Sequence, residues 1–117
     1  MPVRGPVRSG EMPAAEAVRT AEMLDYVEGA VASRTLVKRA AGTVTLFAFD
    51  EGQAMNEHTT PFDAFAQILE GEAVITISGA PHRVQGGESI LLPGNQPHAL
   101  KAVSRFKMLL TIFRSPA

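Results

Sequence analysis

From Ala30 onward, short runs of β-branched and aromatic residues alternate at close intervals with Gly, Pro and Asn. Runs of this length suit β-strands, and frequent turn residues between them are typical of an all-β barrel or sandwich. The predicted strands are Val31–Lys38, Thr43–Phe49, Ala64–Leu69, Ala73–Ser78, His82–Gln85, Ser89–Leu92, His98–Val103 and Phe106–Phe113. Eight strands suit a jelly roll, in which two facing sheets leave few strand edges unpaired.

The stretch before His98 is the most heavily punctuated part of the chain. It reads Pro93-Gly94-Asn95-Gln96-Pro97. Two prolines this close cannot both sit within a paired strand, because proline has no N–H to donate to a neighbouring strand. The pattern predicts an irregular loop that places His98 directly after a rigid bend.

The N-terminal region differs in composition from the predicted barrel. Residues 1–14 carry three prolines, two glycines and few large apolar side chains, which favours an extended arm. Ala14–Leu24 is rich in Ala, Glu and Met, and this predicts one or two helical turns. We therefore predict an N-terminal arm over residues 1–26 and a single barrel domain over residues 27–117.

The composition narrows the range of partners. A chain of 117 residues suits one domain. Eleven Lys and Arg against twelve Asp and Glu give a net charge of −1 without a long basic run, which argues against a nucleic acid partner. The absence of Cys excludes disulfides and thiolate metal sites. No apolar run is long enough for a signal peptide or a membrane span, so we expect a cytoplasmic protein without a membrane partner.

Two of the three histidines, His58 and His98, stand beside Gly- and Pro-rich loops at spacings that match a known pair of motifs. The first motif reads G-x5-H-x-H-x3-E-x6-G and the second reads G-x5-P-x-G-x2-H-x3-N. The matching positions are Gly52, His58 and Gly71 in the first motif and Gly87, Pro93 and His98 in the second. With these residues the chain resembles the cupin superfamily. It departs from the motifs at Thr60, Ala64, Asn95 and Ala102.

The resemblance implies a double-stranded β-helix, the jelly-roll barrel of the cupins, and a homodimer. In a typical cupin, three histidines and one glutamate of the two motifs hold a divalent metal in the barrel mouth. Only His58 and His98 remain here, so the resemblance implies a residual site for Zn, Ni, Mn or Fe at these two residues. Because transition metals normally take at least three protein ligands, the sequence predicts no definite cofactor.

Other side chains near the motifs are weaker candidates. Gln67 has the strand parity opposite to that of Ala64 and is expected to point away from the mouth. Asp63 and Glu57 flank the inward positions and are expected to reach the mouth only if the loop bulges. His82 follows the turn at Gly79 and is interpreted as a structural residue.

The expected pocket is mostly apolar with a few polar groups, as small-molecule sites usually are. Its predicted lining residues are His58, Thr60, Ala64, Ala66, Ile68, His98 and Leu100, with Leu110 as a further candidate. Alanine at position 64 leaves space and removes a charge relative to the cupin glutamate. The leading hypothesis is therefore a small-molecule-binding protein without strong metal dependence.

Two further hypotheses stay open. The first is a metal-dependent enzyme of the isomerase, lyase or dioxygenase type, in which His58 and His98 exchange protons with a small carbonyl or hydroxy compound, since histidine titrates near neutral pH. The second is an assembly module, in which the edge strand Val31–Lys38 and the arm join two subunits of a homodimer.

Overall fold

Two antiparallel β-sheets face each other and enclose the core. The computed structural model describes residues 11–114. Its strands are β1 (Val31–Arg39), β2 (Gly42–Phe49), β3 (Ala54–His58), β4 (Ala64–Glu70), β5 (Glu72–Ile77), β6 (Ala80–Gln85), β7 (Ser89–Leu92), β8 (His98–Ala102) and β9 (Phe106–Phe113). One sheet has the order β1-β2-β9-β4-β7 and the other has the order β3-β8-β5-β6. The predicted all-β jelly roll is confirmed.

Strand β4 shows how the core is built. Ala64, Ala66 and Ile68 are buried, whereas Phe65 and Gln67 between them are only half-buried. This alternation is expected because successive side chains of a strand point to opposite faces of the sheet. The inner face of the barrel is therefore apolar along β4, and the predicted outward direction of Gln67 is confirmed.

The predicted strands all appear, with ends that differ by no more than two residues. The strand that sequence reasoning missed is β3. Its residues are exposed except for a half-buried Met55, which packs against the core. Such a strand lacks the apolar run that indicates a buried strand in a sequence.

The N-terminal segment lies across the outer face of the five-stranded sheet. Lys107 of β9 donates a hydrogen bond to the carbonyl of Ala21, and Arg34 of β1 donates one to that of Met23 at 3.1 Å. The outward-facing Leu46 and Ala48 of β2 are fully buried. The segment thus covers a second apolar layer outside the barrel.

The predicted helix over Ala14–Leu24 is reduced to one 3-10 turn, Thr20–Met23. This short turn leaves the segment extended enough to follow the sheet, and its Leu24 returns to extended backbone. Of the predicted arm, residues 1–10 lie outside the described residues. Within residues 11–114, we find no helix with the length and apolar character needed to cross a bilayer.

Candidate functional site

His58 and His98 form a cross-strand pair at the edge of the four-stranded sheet. His58 ends β3, His98 begins β8, and the two residues are register partners. Their Nε2 atoms lie 3.1 Å apart, and their ring centroids lie 4.3 Å apart at an angle of 67°. Two residues that are 40 positions apart in sequence are therefore in direct side-chain contact.

A bulge in β3 produces this pairing. Met55 pairs with Leu100, and His58 pairs with His98, so β3 uses three steps where β8 uses two. One extra residue of this kind changes which side chain of a strand faces its partner. Without it, Glu57 would take the position two residues after Met55 and would share its face. The bulge thus brings His58 opposite His98.

Each ring has one nitrogen beside a backbone carbonyl and one facing the other ring. Nδ1 of His58 lies 3.1 Å from the carbonyl oxygen of Asn56, and Nδ1 of His98 lies 3.4 Å from that of Gln96. A carbonyl oxygen only accepts hydrogen bonds, so a neutral ring that donates to it through Nδ1 has its lone pair on Nε2. The two Nε2 atoms face each other. The space between them suits an electron-poor group such as a shared proton, a hydroxyl hydrogen or a metal cation.

These two carbonyl partners could not be recognised from the sequence. They belong to the backbone of Asn56 and Gln96, whose side-chain identity has no bearing on a main-chain contact. Only the folded path of the bulged strand β3 and of the loop before β8 brings each carbonyl next to the ring two residues later.

The other predicted lining residues divide into two groups. Ala64, Ala66, Ile68 and Leu100 are buried within the apolar core cluster. Leu110 packs against the same cluster and is half-buried. Thr60 behaves differently, because its hydroxyl contacts the backbone of Phe62 in its own loop, donating at 3.3 Å and accepting at 3.4 Å. The structure thus brings the two rings together, places the predicted apolar lining residues in or against the buried core, and engages the Thr60 hydroxyl locally.

The remaining polar candidates have separate positions. Asp63 accepts a hydrogen bond from the N–H of Gly94 at 2.7 Å. Glu57 is exposed on β3, next to the bulge. His82 is exposed on β6, opposite Ile75. The register places His82 in the row of Ile75 and Leu100, which is two residues along the strands from the row of Ile77 and His98.

The motif spacing, the jelly roll and the paired rings agree with the comparison against protein families. The family model for the cupin domain matches residues 45–113, a range that includes both histidines and strands β3 to β9. The chain belongs to the cupin family.

Similar solved structures extend this assignment to the parts of the cupin outside that range. A conserved protein of unknown function from Streptococcus pyogenes is 34% identical, with a TM-score of 0.84 over 100% of this chain and 98% of that chain. A cupin superfamily protein from Desulfitobacterium hafniense is 27% identical, with a TM-score of 0.84 over 90% of this chain and 96% of that chain.

One curated relative carries a named activity. The dimethylsulfoniopropionate lyase DddW of Ruegeria pomeroyi is 32% identical over 54 residues, which are 46% of this chain and 36% of the relative. The likeness therefore spans about a third of the length of that lyase.

The donor set of the pair supplies only part of what the divalent metal of a typical cupin requires. Two convergent Nε2 atoms, each fixed by an Nδ1–carbonyl contact, match two positions of a coordination shell. Ala64 has no donor atom, and among residues 11–114 no three His, Cys, Asp or Glu side chains are grouped to hold a metal. The described side chains of this cupin thus do not complete a metal site on their own.

Burial lowers the pKa of His98 below its ordinary value, and the neighbouring His58 lowers it further, while the Gln96 carbonyl acts in the opposite direction. His98 is 7% exposed as a whole residue. A positive charge on its ring would therefore be partly removed from water, which favours the neutral form of His98.

We expect the free energy of unfolding to fall as the pH drops through about 6.5, the ordinary pKa of histidine. Below this pH the unfolded chain takes up a proton that native His98 resists, so the unfolded state binds more protons and stability rises with pH. Urea unfolding at pH 7.5 and pH 5.5 would measure the difference. In His98→Gln the difference should shrink, and in the control His82→Gln, which removes an exposed imidazole, it should persist. Equal pH dependence in wild type and His98→Gln would contradict the assignment.

Proposed function

We propose that this cupin binds a small molecule at the mouth of its barrel. The observation that carries the proposal is the convergence of the Nε2 atoms of His58 and His98, which lie 3.1 Å apart and each of which accepts a hydrogen bond when its ring carries hydrogen on Nδ1. A ligand group that donates a hydrogen bond, such as a hydroxyl, satisfies these acceptors in place of the direct contact between the rings. A small hydroxy compound is therefore the ligand class that the pair suits best.

The buried inner wall supports the same proposal. Ala64 stands where cupins usually carry glutamate, so the wall has neither a charge nor a long side chain at this position. Ala66, Ile68 and Leu100 continue the apolar surface. An apolar wall with a few convergent polar atoms is the usual form of a small-molecule site, in which the polar atoms orient the ligand.

The test is a panel of small hydroxy compounds, each paired with its methyl ether, screened by ligand-observed NMR. The ether keeps the shape and loses the O–H donor. We expect binding of some hydroxy members, no binding of their ethers, and loss of binding in both His58→Ala and His98→Ala. His82→Ala serves as the control and should bind as the wild type does. Hits that bind equally to the His58 and His98 variants would overturn the proposal.

A second candidate function is an enzyme in which His58 and His98 exchange protons with a carbonyl or hydroxy compound. The likeness over 54 residues to DddW, which is named as a lyase, is the observation that favours it. Such a reaction needs a base that gains and loses a proton near neutral pH. Imidazole is the side chain that ordinarily does so, and a neutral ring accepts the proton at a free Nε2. A bound divalent metal would supply Lewis-acid chemistry, and the substrate would have to contribute the ligands that the described side chains lack.

Two measurements separate the enzyme from the binder. Elemental analysis of protein purified without an affinity tag would determine whether Zn, Ni, Mn or Fe is present. Turnover that requires the metal and disappears in both histidine variants would support the enzyme, whereas ligand binding by metal-free protein without turnover would support the binder. The cytoplasmic location and the homodimer through strand Val31–Lys38 stay predictions.

A further inference from the structure

Asp63 contacts the loop that carries His98. It stands at the start of β4, immediately before the inward-facing Ala64. Its backbone carbonyl accepts a hydrogen bond from the N–H of Phe113 at 3.0 Å, which ties Asp63 to the end of β9. Its Oδ1 accepts one from the N–H of Gly94 at 2.7 Å. One residue thus joins the five-stranded sheet to the loop over residues 93–97.

The loop over residues 93–97 offers few backbone donors. Pro93 and Pro97 have no N–H, so three backbone donors remain in the loop, those of residues 94–96. The N–H of Gly94 donates to the Asp63 carboxylate. The N–H of Asn95 donates to the carbonyl of Thr60 at 2.6 Å. A charged acceptor makes a stronger hydrogen bond to a backbone N–H than a neutral one does. The Asp63 carboxylate is therefore a principal attachment of the loop on the β4 side.

The local backbone is shaped for this contact. A Cβ on Gly94 would lie 2.6 Å from the carbonyl oxygen of Pro61, so only glycine allows the loop to approach the segment before Asp63. Asn95 has a φ of 65°, a conformation that asparagine tolerates better than most residues do. The loop therefore presses against residues 60–63 in one defined conformation.

The position of the loop decides where the His98 ring points. Gln96 is two residues from Gly94, and its carbonyl accepts from Nδ1 of His98 at the long distance of 3.4 Å. On the other side of the loop, Ser78 donates its N–H to the Pro97 carbonyl at 2.8 Å and its hydroxyl to Oε1 of Gln96 at 3.2 Å. A shift of the loop toward or away from β4 would move the Gln96 carbonyl and rotate the ring away from His58.

We propose that Asp63 is a positioning residue: its carboxylate, through Gly94, holds the loop over residues 93–97 so that Nε2 of His98 meets Nε2 of His58. The inference rests on the proposed function in one respect: the two Nε2 atoms are taken as the contact for the ligand. Asp63 is exposed, so its side chain can be changed without opening the core. Asparagine retains an oxygen acceptor at the same place, whereas alanine has none.

The experiment compares Asp63→Ala with Asp63→Asn and with Asp25→Ala, which removes another exposed aspartate from the N-terminal segment. Two readouts report on the pair without any organic ligand. The first is the nuclear Overhauser contact between the His58 and His98 rings in protein labelled at histidine. The second is the affinity for Ni²⁺ alone, which favours imidazole nitrogen, measured by calorimetry against a baseline from His58→Ala/His98→Ala.

We expect Asp63→Ala to lose the ring contact and to bind Ni²⁺ about 10-fold more weakly, the lower end of what loss of an outer-shell contact costs a metal site. Its Tm should fall by no more than about 8 °C, the effect of one lost hydrogen bond in a domain of this size. Asp63→Asn and Asp25→Ala should keep both readouts near the wild-type values.

Three outcomes would overturn the proposal: an intact ring contact in Asp63→Ala, failure of Asp63→Asn to restore either readout, or failure of Asp63→Ala to fold, which would make Asp63 a folding residue. Because no organic ligand is used, these outcomes are independent of the proposed function. If Asp63→Ala loses the ring contact, Asp63→Asn keeps it and no hydroxy compound binds, the proposed function is contradicted while the role of Asp63 stands.

Discussion

Alanine at position 71 is expected to remove more than about 4 kcal/mol from the free energy of unfolding, which is the range in which many small domains no longer fold. Gly71 forms the turn between β4 and β5 with a φ of 82°. A Cβ there would lie 1.8 Å from the carbonyl oxygen of Arg105 and 2.7 Å from Cα of Phe106. Both are backbone atoms, and Phe106 is fully buried against Phe49, with ring centroids 4.5 Å apart. The backbone therefore cannot move aside without disturbing the core.

Gly79 provides a matched control for this substitution. It has the same φ of 82°, but a Cβ there would meet nothing within 4 Å. Gly79→Ala thus isolates the cost of the left-handed backbone, about 1–2 kcal/mol. Urea unfolding of the two variants, or soluble yield where Gly71→Ala does not fold, measures the contrast. Equal losses would show that the close approach of β9 to Gly71 is not the cause.

Glutamate at position 64 is expected to raise the affinity of this cupin for Ni²⁺ by about 100-fold, which corresponds to about 2.8 kcal/mol. Ala64 is 6% exposed and faces the barrel interior, at the position where the first cupin motif carries its acid. A carboxylate there would add a third donor to the two imidazoles and a negative charge to offset that of the cation. The metal-free variant should be less stable than the wild type, because an unpaired carboxylate is unfavourable in apolar surroundings.

Ala64→Gln is the control for size, since it has the same length as glutamate and no charge. Its gain in Ni²⁺ affinity should be at least about 10-fold smaller than that of Ala64→Glu, because nickel prefers an anionic oxygen to an amide oxygen in this role. Calorimetric titration with Ni²⁺ at fixed pH compares the three proteins. A folded Ala64→Glu that binds Ni²⁺ no more tightly than the wild type would show that position 64 does not face the meeting point of the two histidines.

The motif residues predicted the family, the fold and the pairing of His58 with His98, because motif spacing constrains where strands begin relative to one another. Strand β3 was missed, since an edge strand that buries little more than Met55 has no apolar pattern to detect. The bulge within β3 was equally invisible. A bulge arises from pairing with β8, and a single strand carries no signal of the register that its partner imposes.

The packing of the N-terminal segment was also not predictable from the sequence. The prolines and glycines of this segment predicted an extended arm, but its packing on the outer face depends on distant residues. Lys107 reaches it from β9 and Glu70 accepts a hydrogen bond from the Tyr26 hydroxyl at 2.7 Å. The Lys107 ammonium also lies 4.8 Å from the centre of the Tyr26 ring. Contacts between residues so far apart in the chain exist only in the folded protein.

The amino-acid sequence by itself determined the all-β class, most of the strands, the cupin family and the two histidines of the site. These follow from local periodicity and from spacing, which are properties of the chain alone. The tertiary structure decided that His58 instead of Glu57 faces His98, that each Nδ1 lies beside a backbone carbonyl, and that Asp63 reaches Gly94. Each of these depends on register and loop path, which are set when the two sheets pack and not by any one segment.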